Sequence, residues 1–393
     1  DHDGCVFPME EGRLAYSTDS FVVDPIFFPG GDIGDLAING TVNDLACCGA
    51  RPLYLTAGFI LEEGLPLADL QRIVQSMKRA AERAGVQIVA GDTKVVERGK
   101  CDKLFINTSG IGIVPPGIRI APDQATPGDV VICSGPIGLH GITILSARES
   151  LGFETDLKSD TASLNIMISE LLHTIGEVHV LRDPTRGGVS GTLNEIAQDA
   201  GVDILLDEDA LPIPEAVRAA SEMLGLDPLY IANEGLVLVI LPESLAEQAL
   251  PLMRRFEEGR QATVIGRITK QSGEQARVKM KTLYGNYRII DMLSGEQRRV
   301  PSERHLPPGL PEVLYHHGRP DGIGGFGSGT GSKCLGDETP PSDHLATPTG
   351  MYLLYRIVYP CRPPDRGYLV VRQDFPRLYR DADGRRRRTG RGR

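Results

Sequence analysis

A carboxylate and a lysine stand two residues apart in the segment Gly91-Asp92-Thr93-Lys94, which follows the apolar run 86–90. A short apolar run is typical of a buried strand, and the glycine predicts that this strand breaks there. Asp92 offers hard oxygen for a cation, and Lys94 offers a point charge for phosphate. The segment therefore predicts a Mg-nucleotide site at a strand end. Taken alone, it is explained equally well as a solvated turn.

A second chemical feature lies on the segment 33–49, whose pattern is helical and rich in small residues. Gly40 in the middle of a helix costs about 1 kcal/mol relative to Ala, so we expect close packing or an approaching ligand there. Asp44 is four residues further on and lies on the same narrow face. The helix therefore carries a carboxylate where the backbone is most accessible.

Two glycine-containing turns could bind an anion on their backbone amides. The turn 135–141 follows the predicted strand 129–134 and contains His140, which is more typical of a turn than of a catalyst. It matches neither a Walker loop nor a dinucleotide fingerprint. The turn 182–188 combines arginines and glycines before the predicted helix 189–200, which favours a phosphate receptor over a simple capping turn.

The elements that must position these residues are predicted from periodicity. The segment 66–84 is the clearest helix, with one apolar stripe and Gly85 as its C-cap. Strands are predicted at 14–21, 51–61, 103–108 and 129–134. A further helix is predicted at 162–175, and a closing hairpin at 277–290 with Gly285-Asn286 at its turn. Alternation of strands and helices indicates an α/β (α+β) fold.

Composition limits the function classes. The 393 residues predict two or three domains, and 41% hydrophobic residues are enough for full cores. No apolar run approaches the roughly 18 residues of a membrane span, and the start of the sequence has no signal-peptide pattern. The seven cysteines are irregularly spaced, which indicates neither a disulfide framework nor a zinc site. We therefore expect a cytoplasmic protein.

Charge is divided unevenly along the chain. Residues 298–393 carry 17 basic and 10 acidic residues, whereas residues 1–297 carry 25 basic and 42 acidic residues. An acidic body argues against nucleic acid as a partner, because a phosphate-binding surface needs clustered positive charge. The Arg-, Gly- and Pro-rich segment 298–393 is predicted to be largely disordered. We expect domains at 1–117 and 118–297, followed by this tail.

Seven motifs together resemble one family. They are STDSFVV (17–23), FPGG (28–31), FILEEG (59–64), GDTKVV (91–96), DKLFINT (102–108), RDPTRGG (182–188) and ANEG (232–235). In type and order they resemble the HypE family of hydrogenase-maturation carbamoyl dehydratases, which belongs to the aminoimidazole-ribonucleotide-synthetase-like ATP-binding superfamily. The resemblance runs from residue 1 to about residue 297.

The resemblance implies a two-domain fold and a homodimer that pairs through the sheet of its N-terminal domain, with ATP and Mg²⁺ near the interface. The metal ligands that it implies are Asp3, Asp19, Asp44 and Asp92. The nucleotide-binding residues that it implies are Asp19, Asp44, Asp92, Thr93, Asn107, Asp183 and Arg186. The catalytic residues that it implies are Lys94, which stabilises the transferring phosphoryl group, and Glu234, which acts as the base.

The implied chemistry converts an amide to a nitrile. The amide oxygen is a poor leaving group, so ATP phosphorylates it and a base removes N–H protons as phosphate leaves. In the family the carbamoyl group is carried on a cysteine in a C-terminal Pro-Arg-Ile-Cys, and the cyanide is delivered to nickel-iron hydrogenase. The carbamoyltransferase HypF and the HypC-HypD complex are the partners that the resemblance implies.

This sequence departs from the family where the carrier cysteine is expected. It reads Arg298-Arg299-Val300-Pro301 there, and the family's glycine-rich segment that closes over ATP would precede residue 1. We expect the chain to bind ATP and to form no thiocyanate on its own cysteines. Two other hypotheses are a small-molecule kinase or synthetase of the selenophosphate or thiamine-phosphate type, and an ATP-binding scaffold without turnover.

Overall fold

The computed structural model describes residues 5–9, 12–149 and 157–292. Asp3, Pro301 and the predicted disordered tail lie outside these ranges. The first part of the chain forms these elements: β1 Cys5–Met9, β2 Gly12–Phe21, β3 Phe27–Phe28, β4 Gly31–Asp32, α1 Ile33–Cys47, β5 Arg51–Glu62, α2 Leu67–Ala84, β6 Gln87–Val96 and β7 Leu104–Val114.

The second part continues the alternation of strands and helices. Its elements are β8 Asp129–Cys133, α3 Leu139–Glu149, α4 Asn165–Ile175, β9 Val180–Arg182, α5 Gly188–Ala200, β10 Val202–Asp207, α6 Glu215–Leu224, β11 Leu238–Pro242, α7 Ala246–Met253, β12 Thr263–Lys270, β13 Val278–Lys281 and β14 Tyr287–Ile290. The predicted α/β (α+β) class is confirmed.

The first sheet has the strand order β1-β2-β7-β5-β6, and all its neighbours are antiparallel except β5 and β6. One face packs against α1 and α2 and contributes Ala57 and Ile106 to the core. The opposite face carries Tyr16, Tyr54 and Ile60, each more than 40% exposed. The first sheet therefore has one covered face and one open face.

Helix α1 is the buried centre of this first part. Its N-cap Asp32 accepts hydrogen bonds from the backbone N–H groups of Gly34 and Asp35, which otherwise lack partners in the first turn. A methyl group on Gly40 would lie 2.8 Å from two ring carbons of Phe21. The expectation of close packing at Gly40 is confirmed.

The predicted strand break at Gly91 is wrong. Strand β6 continues through this residue to Val96, so Asp92 and Lys94 lie within an edge strand. A methyl group on Gly91 would lie 2.8 Å from the carbonyl oxygen of Ala57. The glycine is needed because β5 approaches closely, not because the chain turns.

Several other predicted elements hold with small changes of boundary. Gly85 ends α2 in the left-handed conformation with φ 69°, as predicted. The predicted hairpin is present, with Gly285 at φ 79° between β13 and β14. Helix α4 begins at Asn165 instead of 162, because the preceding residues bind the side chain of Asn43 on α1.

The second sheet has the order β14-β13-β10-β12-β8-β11-β9. Its central strands are buried on both faces: one face packs on α5 and the other on α4 and α7. Strand β9 at its edge contacts α1, and α4 also contacts α1, so the second part packs on the helix that carries Asp44. None of the helices in the described ranges has the length and apolar character needed to cross a membrane.

Candidate functional site

Two predicted carboxylates lie between β2 and α1. Alternation along β2 places Ser17 and Asp19 on the face that α1 covers. The Ser17 hydroxyl donates to Oδ2 of Asp44 on α1 at 2.6 Å, and Oδ1 of Asp19 accepts the N–H of Ser20 at 2.8 Å. Burial raises the pKa of Asp19, against which the N–H of Ser20 and the charge of Arg186 act. Asp19 and Asp44 therefore belong to one partly buried polar region.

Residues after β9 approach this region from the second sheet. Asp183 is buried, and loss of solvent raises its pKa, although the neighbouring Arg182 opposes that shift. The carboxylate of Asp19 raises the pKa of Asp183 further, and the Cys47 thiol of α1 donates to Asp183. The structure thus brings the predicted residues Asp19, Asp183 and Arg186 together.

Glu234 completes this group of carboxylates. It is partly buried in the loop before β11. Burial raises its pKa well above the usual value, and the charges of Asp160, Asp183 and Asp19 raise it further. A carboxylate with a raised pKa is a stronger base, which suits removal of a proton from an activated amide.

Asp92 lies on the open face of the first sheet. Asp92 pairs with Gly58, Gly58 pairs with Asn107, and Asn107 pairs with Ser20, so these four positions form one row across the sheet. Strands are about 4.8 Å apart, which places Asp92 about 14 Å from β2 along that row. The single chain therefore does not bring Asp92 to the face that carries Asp19 and Asp44.

Lys94 shares the open face with Asp92. Its Nζ is 2.8 Å from Oδ2 of Asp92, and the two side chains are 60% and 64% exposed. Hydrogen bonding to Lys94 lowers the pKa of Asp92. Thr93 points to the opposite, buried face. Asn107 lies on the open face, and its side-chain amide donates to the backbone carbonyl oxygen of Asp19 at 2.9 Å. Within the described part of one chain, Lys94 lies on the opposite face of the first sheet from Asp19, whose charge acts on Glu234.

Asp19 and Asp44 offer the hard oxygen atoms that Mg²⁺ prefers. Among the residues that the structure describes, no three Asp, Glu, His or Cys side chains are close enough to hold a metal ion together. Mg²⁺ bound with a nucleotide commonly takes one or two carboxylates plus phosphate oxygens. Asp19 and Asp44 fit that arrangement. The metal role of Asp92 remains a prediction, and Asp3 lies outside the described residues.

The glycine-rich turn 135–141 does not present its amides to an open site. The N–H of Gly138 donates to Oδ1 of Asn233 at 2.7 Å, and the N–H of His140 donates to the carboxylate of Asp160. His140 is buried, its pKa falls to about 4 because burial disfavours the charged form, and its Nδ1 lies 2.8 Å from Oγ of Ser159. Both acceptors, an amide oxygen and a carboxylate, belong to the chain itself.

Sequence reasoning did not single out the residues that join the loops around Glu234. Asn233 is fully buried, and its side-chain amide donates to the carbonyl oxygens of Pro184 and Ile231. Asn43 and Asp160 hold the 234–235 backbone from two sides. Asn233 could have been identified from its place in the ANEG motif, and Asn43 from its place next to Asp44. Asp160 has no such local signal.

One described cavity lies away from the predicted site residues. A cavity of about 490 Å³ lies between α2 and the 161–163 backbone, lined among others by Arg79, Arg83 and Phe256. Arg83 is paired with Asp35 at 3.0 Å. None of the predicted site residues lines this cavity, so it does not locate the candidate site.

Comparisons with known proteins identify the family of this chain. The model of the AIR synthase related protein, N-terminal domain, matches residues 1–114, and that of the C-terminal domain matches residues 126–279. The chain is 54% identical over 296 residues to the carbamoyl dehydratase HypE of Azotobacter vinelandii, covering 75% of this chain and 86% of that protein. The chain belongs to the HypE family of carbamoyl dehydratases.

Solved structures give the same result. A HypE crystal structure in complex with ATP matches with a TM-score of 0.70 at 52% identity, covering 73% of this chain and 87% of that one. A HypE-HypF complex matches with a TM-score of 0.70 at 48% identity, covering 74% and 93%. A ThiL protein complexed with AMPPCP and TMP, 21% identical with a TM-score of 0.53, shares the fold alone. The two-domain fold of the aminoimidazole-ribonucleotide-synthetase-like superfamily is confirmed.

Proposed function

We propose that this chain is an ATP-dependent carbamoyl dehydratase that converts a cysteine S-carboxamide to a thiocyanate during maturation of nickel-iron hydrogenase. The family and its activity are supported by the named relatives. The observation within the chain that carries the proposal is Glu234, a carboxylate with a raised pKa that faces Asp19 and Asp183 where the second part of the chain packs on the first sheet.

The residues divide the reaction between them. ATP transfers its γ-phosphoryl group to the carboxamide oxygen and leaves as ADP. The carboxamide nitrogen gives up one proton to solvent once its oxygen is phosphorylated. Glu234 accepts the second N–H proton as the C–O bond breaks, so that a C≡N bond forms and phosphate leaves. Lys94 offsets negative charge on the transferring phosphoryl group. Asp183, Arg186, Thr93 and Asn107 position the nucleotide, and Mg²⁺ held by Asp19 and Asp44 would neutralise charge on its phosphates.

A homodimer accounts for the division of the predicted residues between two faces. The open face of the first sheet exposes Tyr16, Tyr54 and Ile60, and Ile60 pairs with Lys94 of β6. Exposed aromatic and branched side chains on one face are typical of a subunit interface. In our proposal the first domain, residues 1–117, pairs through this face. Asp92 and Lys94 then lie at the interface, and the nucleotide site includes both subunits.

Partners and location follow from the same proposal. A carbamoyltransferase of the HypF type supplies the carboxamide, because a relative forms a complex with HypF, and the HypC-HypD complex receives the cyanide. The net negative charge of residues 1–297 argues against nucleic acid as a partner. The irregularly spaced cysteines favour a reducing cytoplasm. The kinase and scaffold hypotheses are the alternatives against which the activity is tested.

The test supplies the carrier cysteine separately. The full chain is incubated with ATP, Mg²⁺ and a synthetic peptide that ends in Pro-Arg-Ile-Cys with an S-carbamoylated thiol, and the peptide mass is followed. We expect loss of one water and formation of one ADP per peptide. Glu234→Gln should lower the rate by about 10²-fold to 10⁴-fold. ATP binding without turnover would favour the scaffold hypothesis. A rate of ADP formation that is the same with and without the peptide would favour a different, kinase-type activity.

A second measurement uses the chain without peptide. Pro301 has no thiol, and Cys334 is separated from that position by glycine- and serine-rich sequence that lowers its effective concentration. We expect ATP binding and no thiocyanate on the chain. A cyanated Cys334 or Cys361 in a peptide digest, after incubation with a carbamoyl donor, would contradict this expectation.

A further inference from the structure

Asp160 holds the backbone on which Glu234 is mounted. Its two carboxylate oxygens accept the N–H of Glu234 at 3.2 Å each, and Oδ2 also accepts the N–H of Gly235 at 3.1 Å. The backbone N–H groups of His140 and of Asp160 itself donate to the same carboxylate. Charged acceptors form the stronger class of hydrogen bond, so this carboxylate fixes the 234–235 peptide units.

Close packing makes the contact specific. A methyl group on Gly235 would lie 1.8 Å from the carbonyl oxygen of Asp160, so a side chain at position 235 would force the two segments apart. The N–H of Ser159 donates to the carbonyl oxygen of Pro29 at 2.9 Å. The segment around Asp160 therefore contacts both the Glu234 turn and the loop before α1.

The opposite side of the same peptide is held by α1. The side-chain amide of Asn43 donates to the carbonyl oxygens of Ala162 at 3.0 Å and of Glu234 at 3.4 Å. Its Oδ1 accepts the N–H of Leu164 at 2.8 Å. Asn43 precedes Asp44 in the chain. The backbone of Glu234 is thus fixed between Asp160 and the helix that carries a predicted nucleotide residue.

We propose that Asp160 is a positioning residue for the dehydration reaction. By fixing the backbone of Glu234, it holds the Glu234 carboxylate where it can accept a proton from the activated carboxamide. The inference rests on the proposed role of Glu234 as the base. Asp160 acts only through Glu234, because its carboxylate is occupied by backbone amides. A base displaced by about 1 Å loses much of its effect, since proton transfer requires hydrogen-bond geometry.

The test replaces Asp160 by Asn, which presents an amide N–H₂ to backbone donors and so loses acceptors without loss of volume. Asp203→Asn is the matched control, because Asp203 is also buried and accepts the backbone N–H groups of Ser272 and Arg277 in the second sheet. With the S-carbamoyl peptide, we expect Asp160→Asn to lower the single-turnover rate at least tenfold and to leave ATP affinity within twofold. The rate of Asp203→Asn should stay within twofold of wild type.

A double-mutant cycle separates positioning from general damage. In the Glu234→Gln background the base is absent, so adding Asp160→Asn should change the residual rate by less than twofold. A structural role would lower that residual rate by the same factor as in the wild-type background. Equal factors in the two backgrounds would overturn the proposal.

Hydrogen exchange tests the positioning without any turnover. In Asp160→Asn we expect the amides of Glu234 and Gly235 to exchange at least tenfold faster, with strand β11 (Leu238–Pro242) unchanged. If the wild-type chain does not dehydrate the peptide, the proposed function fails while this measurement still decides whether Asp160 fixes the turn. Unchanged exchange at both amides overturns the inference. Asp160→Ser, which keeps one oxygen acceptor, is measured in the same way if Asp160→Asn does not fold.

Discussion

Glu234 is held among three other carboxylates, and this position makes the stability of the fold depend on pH. In the unfolded chain Glu234 ionises near its usual pKa of about 4.3, whereas burial and the charges of Asp160, Asp183 and Asp19 raise its pKa in the fold. Between these two pKa values the unfolded state loses the proton first. The free energy of unfolding contributed by this group therefore falls as pH rises through that window.

Glu234→Gln removes this titration and keeps the shape of the protonated side chain. We expect the variant to match wild type at about pH 3, where Glu234 is protonated in both the folded and the unfolded state, and to be more stable than wild type at about pH 8. Urea unfolding at the two pH values measures the difference. Glu247→Gln on the exposed surface of α7 is the control. A stability difference that is the same at both pH values would show that Glu234 does not titrate as inferred.

Asp44 and Asp92 test whether the nucleotide site uses both faces of the first sheet. Removal of one charged oxygen ligand should weaken Mg-ATP binding by about 1–3 kcal/mol in Asp44→Asn and in Asp92→Asn. Calorimetric titration with Mg-ATP measures this, with the exposed Asp209→Asn as control. Unchanged affinity in both variants would refute the site, and a loss in Asp44→Asn alone would confine it to the covered face.

At the scale of elements, α1 packs against β2 through Gly40. Ala at this position raises helix propensity by about 1 kcal/mol, but its methyl group would meet the buried ring of Phe21 at 2.8 Å. Overpacking of this kind costs about 1–3 kcal/mol, so we expect Gly40→Ala to be destabilised overall. Urea unfolding measures the change.

Two variants control the interpretation of Gly40→Ala. Gly273→Ala adds a methyl group where no atom lies within 4 Å and should be neutral. Phe21→Leu removes the ring atoms that the added methyl group would meet, so Gly40→Ala should be tolerated in that background. A Gly40→Ala protein more stable than wild type would show that packing is not the reason for the glycine.

At the scale of the whole molecule, the open face of the first sheet predicts the oligomeric state. Tyr54 of β5 is 44% exposed on this face, where it pairs with Ile111 of β7. Tyr54→Glu places a charge in the proposed interface and should raise the dimer dissociation constant at least tenfold, equivalent to about 1.4 kcal/mol. Sedimentation equilibrium measures it. Met223→Glu on exposed α6 should have no effect, and a wild-type protein that stays monomeric at all concentrations would refute the dimer.

Local signals in the sequence determined most of the elements. The helix α2 and its left-handed Gly85, the strand β2, and the hairpin of β13 and β14 follow from periodicity and turn chemistry within a few residues. The motif order also determined the family, because long matching segments specify a fold more strongly than any single residue does. These properties depend on neighbours in the chain.

The tertiary structure decided which chemical residues meet. Gly91 looked like a strand break, but the backbone of β5 beside it requires a glycine within a continuous strand. Asp92 therefore faces away from Asp19, because residues on a strand alternate between its two faces. Asp160 and Glu234 are 74 residues apart, and Asn43 is 191 residues from Glu234. No local pattern encodes such contacts, since they exist only where two sheets pack on the same helix.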